Sequence, residues 1–276
     1  MPDKLLTASG IEVTYGATRG LLGKPGGGHK VLHGVDIDIR RGETVGIVGE
    51  SGSGKTTLGR ALLRLVNVSA GTIHFDGKDI TDIPDAALRP LRRRMQMIFQ
   101  DPMASLNPRH TIRRILVEPL LLHRLADDAR SAERRIAAIF ERFMLPTACL
   151  ERNPHELSGG QRQRVGIARA ALLEPDFVLA DEVVSGLDVS TQAQVLNLMK
   201  ELSRDLGLSM AFISHDLSVI RAVCDRVYVM RHGTVVEHGL CDRVFTAPEN
   251  AYTRALLDAI PLPRIEPGWL DRVAEV

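Results

Sequence analysis

The stretch from Gly49 to Thr56, which reads GESGSGKT, decides the fold, and it follows the apolar run Val45 to Val48. Glycines at its first and sixth positions, then Lys55 and Thr56, match the phosphate-binding loop that joins a strand to a helix. The glycines let backbone N–H groups point inward around phosphates, and the N-terminus of the following helix favours the same negative charge. Lys55 would reach the β and γ phosphates of a nucleoside triphosphate, and Thr56 would offer its hydroxyl to Mg²⁺. The alternative is a glycine-rich turn that binds nothing.

Composition limits the classes of protein to which this chain can belong. With 276 residues, 44% hydrophobic and 25% charged, it is an ordinary globular chain of one large or two small domains. The formal charge of +1 gives no general electrostatic reason to bind nucleic acid or an anionic membrane, and we expect Arg92 to Arg94 to lie on a solvated face. Cys149, Cys224 and Cys241 fit a reducing compartment, and we expect them to serve in packing. No apolar run approaches the roughly 18 residues of a membrane span and no signal-peptide pattern begins the chain, so we expect contact with a membrane only through partners.

Hydrophobic periodicity predicts strands that alternate with helices. The predicted strands are Leu5 to Tyr15, Val31 to Ile39, Thr72 to Phe75, Met95 to Phe99, Phe177 to Ala180 and Met210 to Ile213, followed by a hairpin of Val227 to Met230 and Thr234 to Glu237. Helical spacing marks Leu58 to Val66, a helix opened by Leu157 to Gln161, and Thr191 to Leu206. This alternation favours an α/β protein with a mostly parallel sheet, in which ligands gather at the carboxyl ends of the strands.

Three regions depart from this alternation. Thr111 to Leu145 shows only helical spacing and predicts an inserted helical subdomain. Gly16 to Lys30 is rich in glycine and basic residues and predicts an irregular surface loop. After Phe245 we expect one short helix, Tyr252 to Ile260, and then a proline-rich end that contains Trp269.

Polar residues follow several of the predicted strands. Asp181 and Glu182 end a continuous apolar run, where two adjacent carboxylates are costly unless a metal and a reacting water satisfy them. His215 and Gln100 also follow strands, although either residue alone is a weak signal because a single histidine or glutamine is more often structural. The sequence LSGGQ at Leu157 to Gln161 places two glycines at a helix start and predicts a second phosphate-binding N-terminus.

These motifs, in this order, resemble the nucleotide-binding subunits of ATP-binding cassette (ABC) transporters over about residues 5 to 240. The resemblance implies a P-loop NTPase (RecA-like) core with an antiparallel β-subdomain and an inserted α-helical subdomain. It implies ATP contacts from Tyr15, Gly49, Glu50, Ser51, Gly52, Ser53, Gly54, Lys55, Thr56 and Thr57, with Tyr15 stacked on adenine; edge-strand packing is the alternative for this tyrosine. It implies Glu182, His215 and Gln100 as catalytic residues, Asp188 in the D-loop, and Thr56, Gln100 and Asp181 around Mg²⁺. Ser158, Gly159, Gly160 and Gln161 resemble the signature motif, which in the family completes the site of a second subunit.

Longer strings are similar to the importer branch that handles oligopeptides, dipeptides and nickel. They are Gly49 to Arg60, Gln100 to Arg109 (QDPMASLNPR) and Tyr252 to Leu257 (YTRALL). That branch often pairs one subunit bearing an iron–sulfur cysteine cluster with one that lacks it, and this chain resembles the cluster-free type. Val183 and Gly186 stand where the family usually has proline and alanine, a change that affects the stiffness of the loop and no ligand.

The resemblance therefore implies an ABC ATPase domain over residues 1–245, with its helical subdomain at about 101–157, and a C-terminal helix and proline-rich tail over 246–276. The implied function is ATP hydrolysis that powers a membrane importer of peptides or nickel, with ATP and Mg²⁺ bound and no iron–sulfur cluster. The implied partners are a second ABC ATPase subunit, related or identical, two transmembrane permease subunits and, indirectly, an extracytoplasmic substrate-binding protein. The implied location is peripheral, on the cytoplasmic face of the membrane. The alternatives are a non-transport ABC ATPase that acts on nucleic acid or ribosomes, and a small-molecule kinase, which would leave the signature motif unexplained.

Overall fold

The computed structural model describes residues 3–16 and 28–259. Most of the predicted glycine-rich loop (17–27), Ile260, and the proline-rich end with Trp269 lie outside the described residues. In chain order the strands are β1 (Lys4–Tyr15), β2 (His29–Arg40), β3 (Thr44–Val48), β4 (Ala70–Phe75), β5 (Lys78–Asp79), β6 (Met95–Ile98), β7 (Phe177–Asp181), β8 (Ser209–Ile213), β9 (Arg226–Arg231) and β10 (Thr234–Leu240). The helices are α1 (Lys55–Leu62), α2 (Asp85–Arg94), α3 (Pro102–Ser105), α4 (Ile112–Leu122), α5 (Ala129–Arg142), α6 (Gly159–Ala171), α7 (Val189–Leu206), α8 (Leu217–Val223), α9 (Cys241–Thr246) and α10 (Ala251–Asp258), with 3-10 turns at Thr147–Glu151 and Pro154–Glu156.

The strands form two sheets. A six-stranded sheet has the order β10-β9-β3-β8-β7-β6, and its neighbours are parallel except for the β9–β10 hairpin. A four-stranded antiparallel sheet has the order β2-β1-β4-β5. The predicted hairpin turns at His232 and Gly233, both with positive φ, as a two-residue turn between strands requires. The mostly parallel core sheet and the antiparallel β-subdomain predicted from the sequence are thus confirmed.

The six-stranded sheet is covered on both faces, which explains why its strands are apolar throughout. Alternate side chains of β7 enter different cores, because successive residues of a strand point to opposite faces. Phe177 and Leu179 pack in the core shared with α1 and the antiparallel sheet. Val178 and Ala180 pack in the core shared with α4, α5 and α7. The chain between β6 and β7 forms only helices and turns, as its periodicity predicts.

The predicted solvated face at Arg92 to Arg94 is wrong, because each of these half-buried arginines has a specific partner. Arg92 donates to the carbonyls of Leu63 and Arg64 at 2.7 and 3.0 Å, beyond the C-terminus of α1. Arg93 donates to the carbonyl of Leu173 at 3.2 Å, and Arg94 joins Asp76 and Asp176 in ion pairs. The three residues therefore tie α2 to neighbouring elements.

The helix predicted to reach Val66 ends instead at Leu62. Arg64 has a φ of +52°, and the N–H groups of Arg64 and Leu65 donate to the carbonyls of Ala61 and Arg60. This left-handed turn satisfies carbonyls that the helix end leaves free. Helices α2, α3, α8 and α9 are additions that the periodicity did not predict.

The three cysteines are buried, as expected for packing residues. No helix in the described part of the chain is long and apolar enough to cross a membrane.

A buried ionic cluster joins the two sheets at Arg226. Its guanidinium donates to Glu43 at 3.2 Å, to Asp38 at 3.2 Å and to the hydroxyl of Tyr228 at 2.6 Å. The side chains of Arg226 and Glu43 are only 9% and 8% exposed. Burial opposes the charged form of Asp38, but the hydrogen bond and charge of Arg226 outweigh it and lower the pKa of that carboxyl. Removal of the cation would leave the buried carboxylate of Glu43 without an ion-pair partner among the described residues.

We expect Arg226→Met to lower the free energy of unfolding by about 3–5 kcal/mol, because an unpaired buried charge is strongly destabilising. Urea titration of the full chain measures the change. The matched control is Arg243→Met, which breaks an ion pair with Glu249 in which both side chains are 72% exposed, and which should cost less than about 1 kcal/mol. Equal losses in the two variants would contradict a structural role for the buried cluster.

Gly49, the first residue of the loop after β3, lies directly against the end of β9. Its φ is +145°, and a Cβ at this position would lie 2.2 Å from the carbonyl oxygen of Met230 and 2.9 Å from the hydroxyl of Ser53. Gly52 also has a positive φ, +79°, but a Cβ there would meet nothing within 4 Å. The two glycines therefore share a backbone requirement and differ in the space available.

We expect Gly49→Ala to destabilise the protein by at least about 3 kcal/mol, because backbone strain adds to a clash with a backbone oxygen that cannot move alone. Gly52→Ala should cost about 1–2 kcal/mol, the cost of a left-handed conformation. Thermal and urea unfolding of both variants provide the comparison. A Gly49→Ala protein as stable as Gly52→Ala would show that the close approach to β9 is not maintained.

Candidate functional site

A cavity of about 650 Å³ opens at the carboxyl ends of β3, β7 and β8. It is lined by His29, Val31, Ser51, Gly52, Gly54, Lys55, Thr56, Thr57, Gln100, Glu182 and His215. The polar residues predicted to follow separate strands therefore meet at one place, because parallel strands end at the same edge of a sheet. The predicted site residues Gly49, Glu50 and Ser53 belong to the same loop without lining the cavity.

The loop after β3 is shaped around the amino group of Lys55. Lys55 Nζ donates to the carbonyl oxygens of Gly49 and Glu50, each at 2.8 Å. Burial lowers the pKa of Lys55, while the carboxylates of Glu182, Asp181 and Glu50 act in the opposite direction. The amine is thus a buried cation, held by neutral carbonyls, that faces an open cavity. Such a group suits an anionic ligand.

Asp181 does not line the cavity but contacts Thr56, which does. Thr56 Oγ1 donates to Asp181 Oδ1 at 3.2 Å, and Asp181 is 5% exposed. Burial raises the pKa of Asp181, the hydrogen bond from Thr56 lowers it, and the neighbouring charge of Glu182 raises it further. A hydroxyl and a carboxylate oxygen beside a phosphate loop match the oxygen ligands that Mg²⁺ prefers when substrate phosphates supply further ligands. These residues therefore fit the metal that the sequence motif implies.

Glu182 projects into the cavity from a strained turn. Its φ is +48°, and its backbone N–H donates to the carbonyl of Ile213, at the end of β8, at 2.9 Å. Its carboxylate accepts from Gln100 Nε2 at 2.9 Å and lies 3.3 Å from His215 Nδ1. A left-handed conformation in a non-glycine residue is costly and persists where the surroundings fix it. Here the turn places a carboxylate between Gln100 and His215, which line the same cavity.

The LSGGQ residues lie apart from this cavity. Ser158 and Gly159 are exposed, and Ser158 caps α6 by accepting from the N–H of Gln161 at 3.3 Å, while the side chain of Gln161 accepts from the N–H of Ser158 at 3.0 Å. None of Ser158, Gly159, Gly160 and Gln161 lines the cavity of its own chain. The motif therefore presents a capped helix N-terminus to solvent.

Gly160 packs against the start of α7. A Cβ on Gly160 would lie 2.8 Å from Thr191 Cγ2, and Thr191 Oγ1 donates to Asp188 Oδ2 at 2.7 Å. Asp188 also accepts from the N–H of Thr191 at 2.9 Å and so caps α7. The predicted D-loop residue thus supports the LSGGQ segment of its own chain through one threonine.

Two cavity residues, His29 and Val31, were not predicted. They lie at the start of β2, where Tyr15 pairs with His29, and no motif marks that strand end. Tyr15 is 43% exposed and does not line the described cavity, although it neighbours a residue that does. The assignment of Tyr15 to adenine stacking stays a prediction.

Comparison with known proteins identifies the family. The ABC transporter family matches residues 32–185, which include the phosphate loop, Gln100, the LSGGQ motif and Glu182. An ATP-binding protein of Brucella ovis is 54% identical over 209 residues, which are 76% of this chain and 66% of that protein. The oligopeptide transport ATP-binding protein OppF of Streptococcus mutans is 47% identical over 209 residues, 76% of this chain and 68% of that protein. The glutathione import ATP-binding protein GsiA of Pectobacterium atrosepticum is 50% identical over 208 residues, 75% of this chain and 33% of that protein. The match thus spans about two thirds of the Brucella relative.

The fold of this chain is similar to solved structures of ABC transporter cassettes. A dimeric ATP-binding cassette bound to ADP and Pi in a post-hydrolysis state has a TM-score of 0.76 and 28% identity, and the match covers 86% of this chain and 98% of that one. The cassette cbiO1 of Clostridium perfringens, part of the cbiONQ transporter complex, has the same TM-score and 26% identity, covering 99% of this chain and 100% of that one. The chain thus shares the P-loop NTPase fold of these cassettes and belongs to the ABC transporter family.

Proposed function

We propose that this chain is the ATP-binding and ATP-hydrolysing subunit of a membrane importer that carries peptides. The observation that carries the proposal is the position of the Glu182 carboxylate. It contacts Gln100 and His215 in the cavity that Lys55 and Thr56 also line. The names of the Streptococcus and Pectobacterium relatives, which refer to oligopeptide transport and glutathione import, support a peptide cargo and favour an importer over a nucleic-acid ATPase.

The residues of the site would divide the reaction as follows. Backbone N–H groups of Gly49 to Thr57 and the ammonium of Lys55 would bind the phosphates, and Tyr15 would stack on the adenine. Thr56, Asp181 and Gln100 would surround Mg²⁺, which when bound would neutralise charge on the phosphates. Glu182 would orient or deprotonate the attacking water, and His215 would hold the γ-phosphate. Catalysis would then rest on positioning and electrostatic stabilisation.

The exposed LSGGQ segment supports a site shared by two subunits. Ser158 to Gln161 present an exposed helix N-terminus that does not line the cavity of the same chain, and a helix N-terminus favours anions. In a head-to-tail dimer the segment would close the cavity of the partner subunit, with Asp188 beside it. ATP would then favour the closed dimer because it binds that state more tightly.

The remaining partners and boundaries follow from the same proposal. The cassette would occupy residues 1–245, with the helical subdomain at about 101–157 facing two permease subunits at the cytoplasmic face of the membrane. Residues 246–276 would form a C-terminal addition. An extracytoplasmic binding protein would deliver the cargo to the permeases, and the second ATPase would be this chain or a related one.

We expect Glu182→Gln to keep ATP binding and to lose at least about 100-fold in hydrolysis, because an amide preserves the shape of the side chain but cannot accept a proton. Equilibrium binding of ATP and steady-state phosphate release measure the two effects. Glu118→Gln, at an exposed carboxylate paired with Arg114, is the control and should change neither quantity. Hydrolysis at the wild-type rate in Glu182→Gln would exclude the role given to this carboxylate.

Mixing two inactive variants tests the shared site. Ser158→Arg and Glu182→Gln chains should each be inactive alone, the first because a cation and its bulk block the partner's phosphates. If the site is shared, a mixed dimer contains one half-site with both defects and one with neither, so mixing should restore part of the turnover. Phosphate release after mixing measures this recovery. A mixture as inactive as its components would show that each chain uses its own LSGGQ segment.

A further inference from the structure

The peptide unit between Gly49 and Glu50 is held from both sides. Its carbonyl, on Gly49, accepts from Lys55 Nζ at 2.8 Å. Its N–H, on Glu50, donates to the hydroxyl of Tyr252 at 3.2 Å. Because the C=O and N–H of a planar trans peptide point in opposite directions, the two contacts together fix the orientation of the plane. One contact comes from the phosphate loop itself and the other from the C-terminal helix α10.

Tyr252 is itself fixed in position. Its side chain is 9% exposed, and the guanidinium of Arg231 lies 4.8 Å from the centre of its ring. Asn250 caps α10 by accepting from the N–H of Tyr252 at 2.8 Å. The Glu237 carboxylate on β10 accepts from the N–H groups of Glu249 and Asn250 at 2.7 and 3.1 Å. The tyrosine hydroxyl therefore reaches the phosphate loop from a helix anchored to the β9–β10 hairpin.

The contact from Tyr252 matters because residue 49 is a glycine. Glycine adopts conformations that other residues avoid, so the peptide plane after Gly49 can rotate at little cost unless something holds it. Rotation would turn the Gly49 carbonyl away from Lys55 and would remove one of the two acceptors that place the ammonium at the cavity. The hydrogen bond from the Glu50 N–H to the Tyr252 hydroxyl opposes this rotation.

We propose that Tyr252 is a positioning residue of the nucleotide site: its hydroxyl fixes the Gly49–Glu50 peptide plane and so keeps the phosphate loop and Lys55 ready for ATP. The inference rests on the proposed ATP binding and extends it to α10, a helix beyond the residues that the ABC transporter family matches. It also gives a physical reason for the tyrosine that opens the string Tyr252 to Leu257, which the phosphate loop alone does not explain.

Tyr252→Phe removes only the hydroxyl and leaves the ring over Arg231. We expect the Kd for ATP with Mg²⁺ to rise about 3- to 10-fold, the usual effect of one lost hydrogen bond. Tyr228→Phe is the matched control, because Tyr228 is also a buried tyrosine but its hydroxyl bonds Arg226 and the carbonyl of Asp38 in the ionic cluster. It should lower the melting temperature and leave the Kd within about twofold of wild type.

Calorimetric titration of the full chain with ATP, with a melting curve for each variant, separates the outcomes. A rise in Kd for Tyr252→Phe that Tyr228→Phe does not share supports the inference, whatever the two melting temperatures. An unchanged Kd in Tyr252→Phe would show that Tyr252 is only a packing residue and would overturn the inference. Equal rises in both variants would also overturn it, since general destabilisation would then explain them. A wild-type chain that binds no ATP would instead refute the proposed function, before any variant is compared.

Discussion

The parallel pairing of β3 with β8 and of β8 with β7 is the interaction on which the site depends. It continues past the strand ends, where the N–H of Glu182 donates to Ile213 and that of Ser214 donates to Ile47. These last hydrogen bonds fix the relative positions of the turns that follow β3, β8 and β7 at one edge of the sheet. The phosphate loop, the acidic pair and His215 come from distant parts of the chain, and only this register places them around one cavity. Burial of the sheet on both faces makes the register costly to change.

The charged groups at and beside the cavity suit a ligand that carries both positive and negative charge. Lys55 is buried and neutralised only by nearby carboxylates and carbonyl dipoles, while Asp181 and Glu182 are adjacent acids at the end of a buried strand. Burial and the neighbouring charge of Glu182 raise the pKa of Asp181. If ATP and Mg²⁺ bind here as proposed, the cation would stabilise the Asp181 carboxylate and the phosphates would stabilise the Lys55 ammonium. Binding would therefore lower the electrostatic cost of burying these two groups.

Sequence patterns predicted most of the core and the residues of the cavity, because both depend on short-range signals. A strand buried on both faces must be apolar throughout, as Phe177 to Ala180 are, and a phosphate loop needs glycine and lysine at fixed spacing. The arginines at 92–94 were misjudged because their acceptors, the carbonyls of Leu63 and Leu173 and the carboxylates of Asp76 and Asp176, lie far away in sequence. His29 and Val31 were missed for a related reason, since only the fold brings the start of β2 to the cavity. Contacts that only the tertiary structure creates leave no hydrophobic periodicity in the sequence from which they could be predicted.

The close packing of Gly160 against Thr191 limits the side chain that position 160 of the LSGGQ segment can hold. The Thr191 hydroxyl donates to Asp188, so a rotation that moved the Thr191 methyl group away from a Cβ on Gly160 would break this hydrogen bond. The absence of a side chain at this position is therefore required by packing within one chain, independently of any phosphate on the outer side. A substitution at Gly160 would therefore disturb the start of α7 within its own chain, whatever contact the segment makes with a partner subunit.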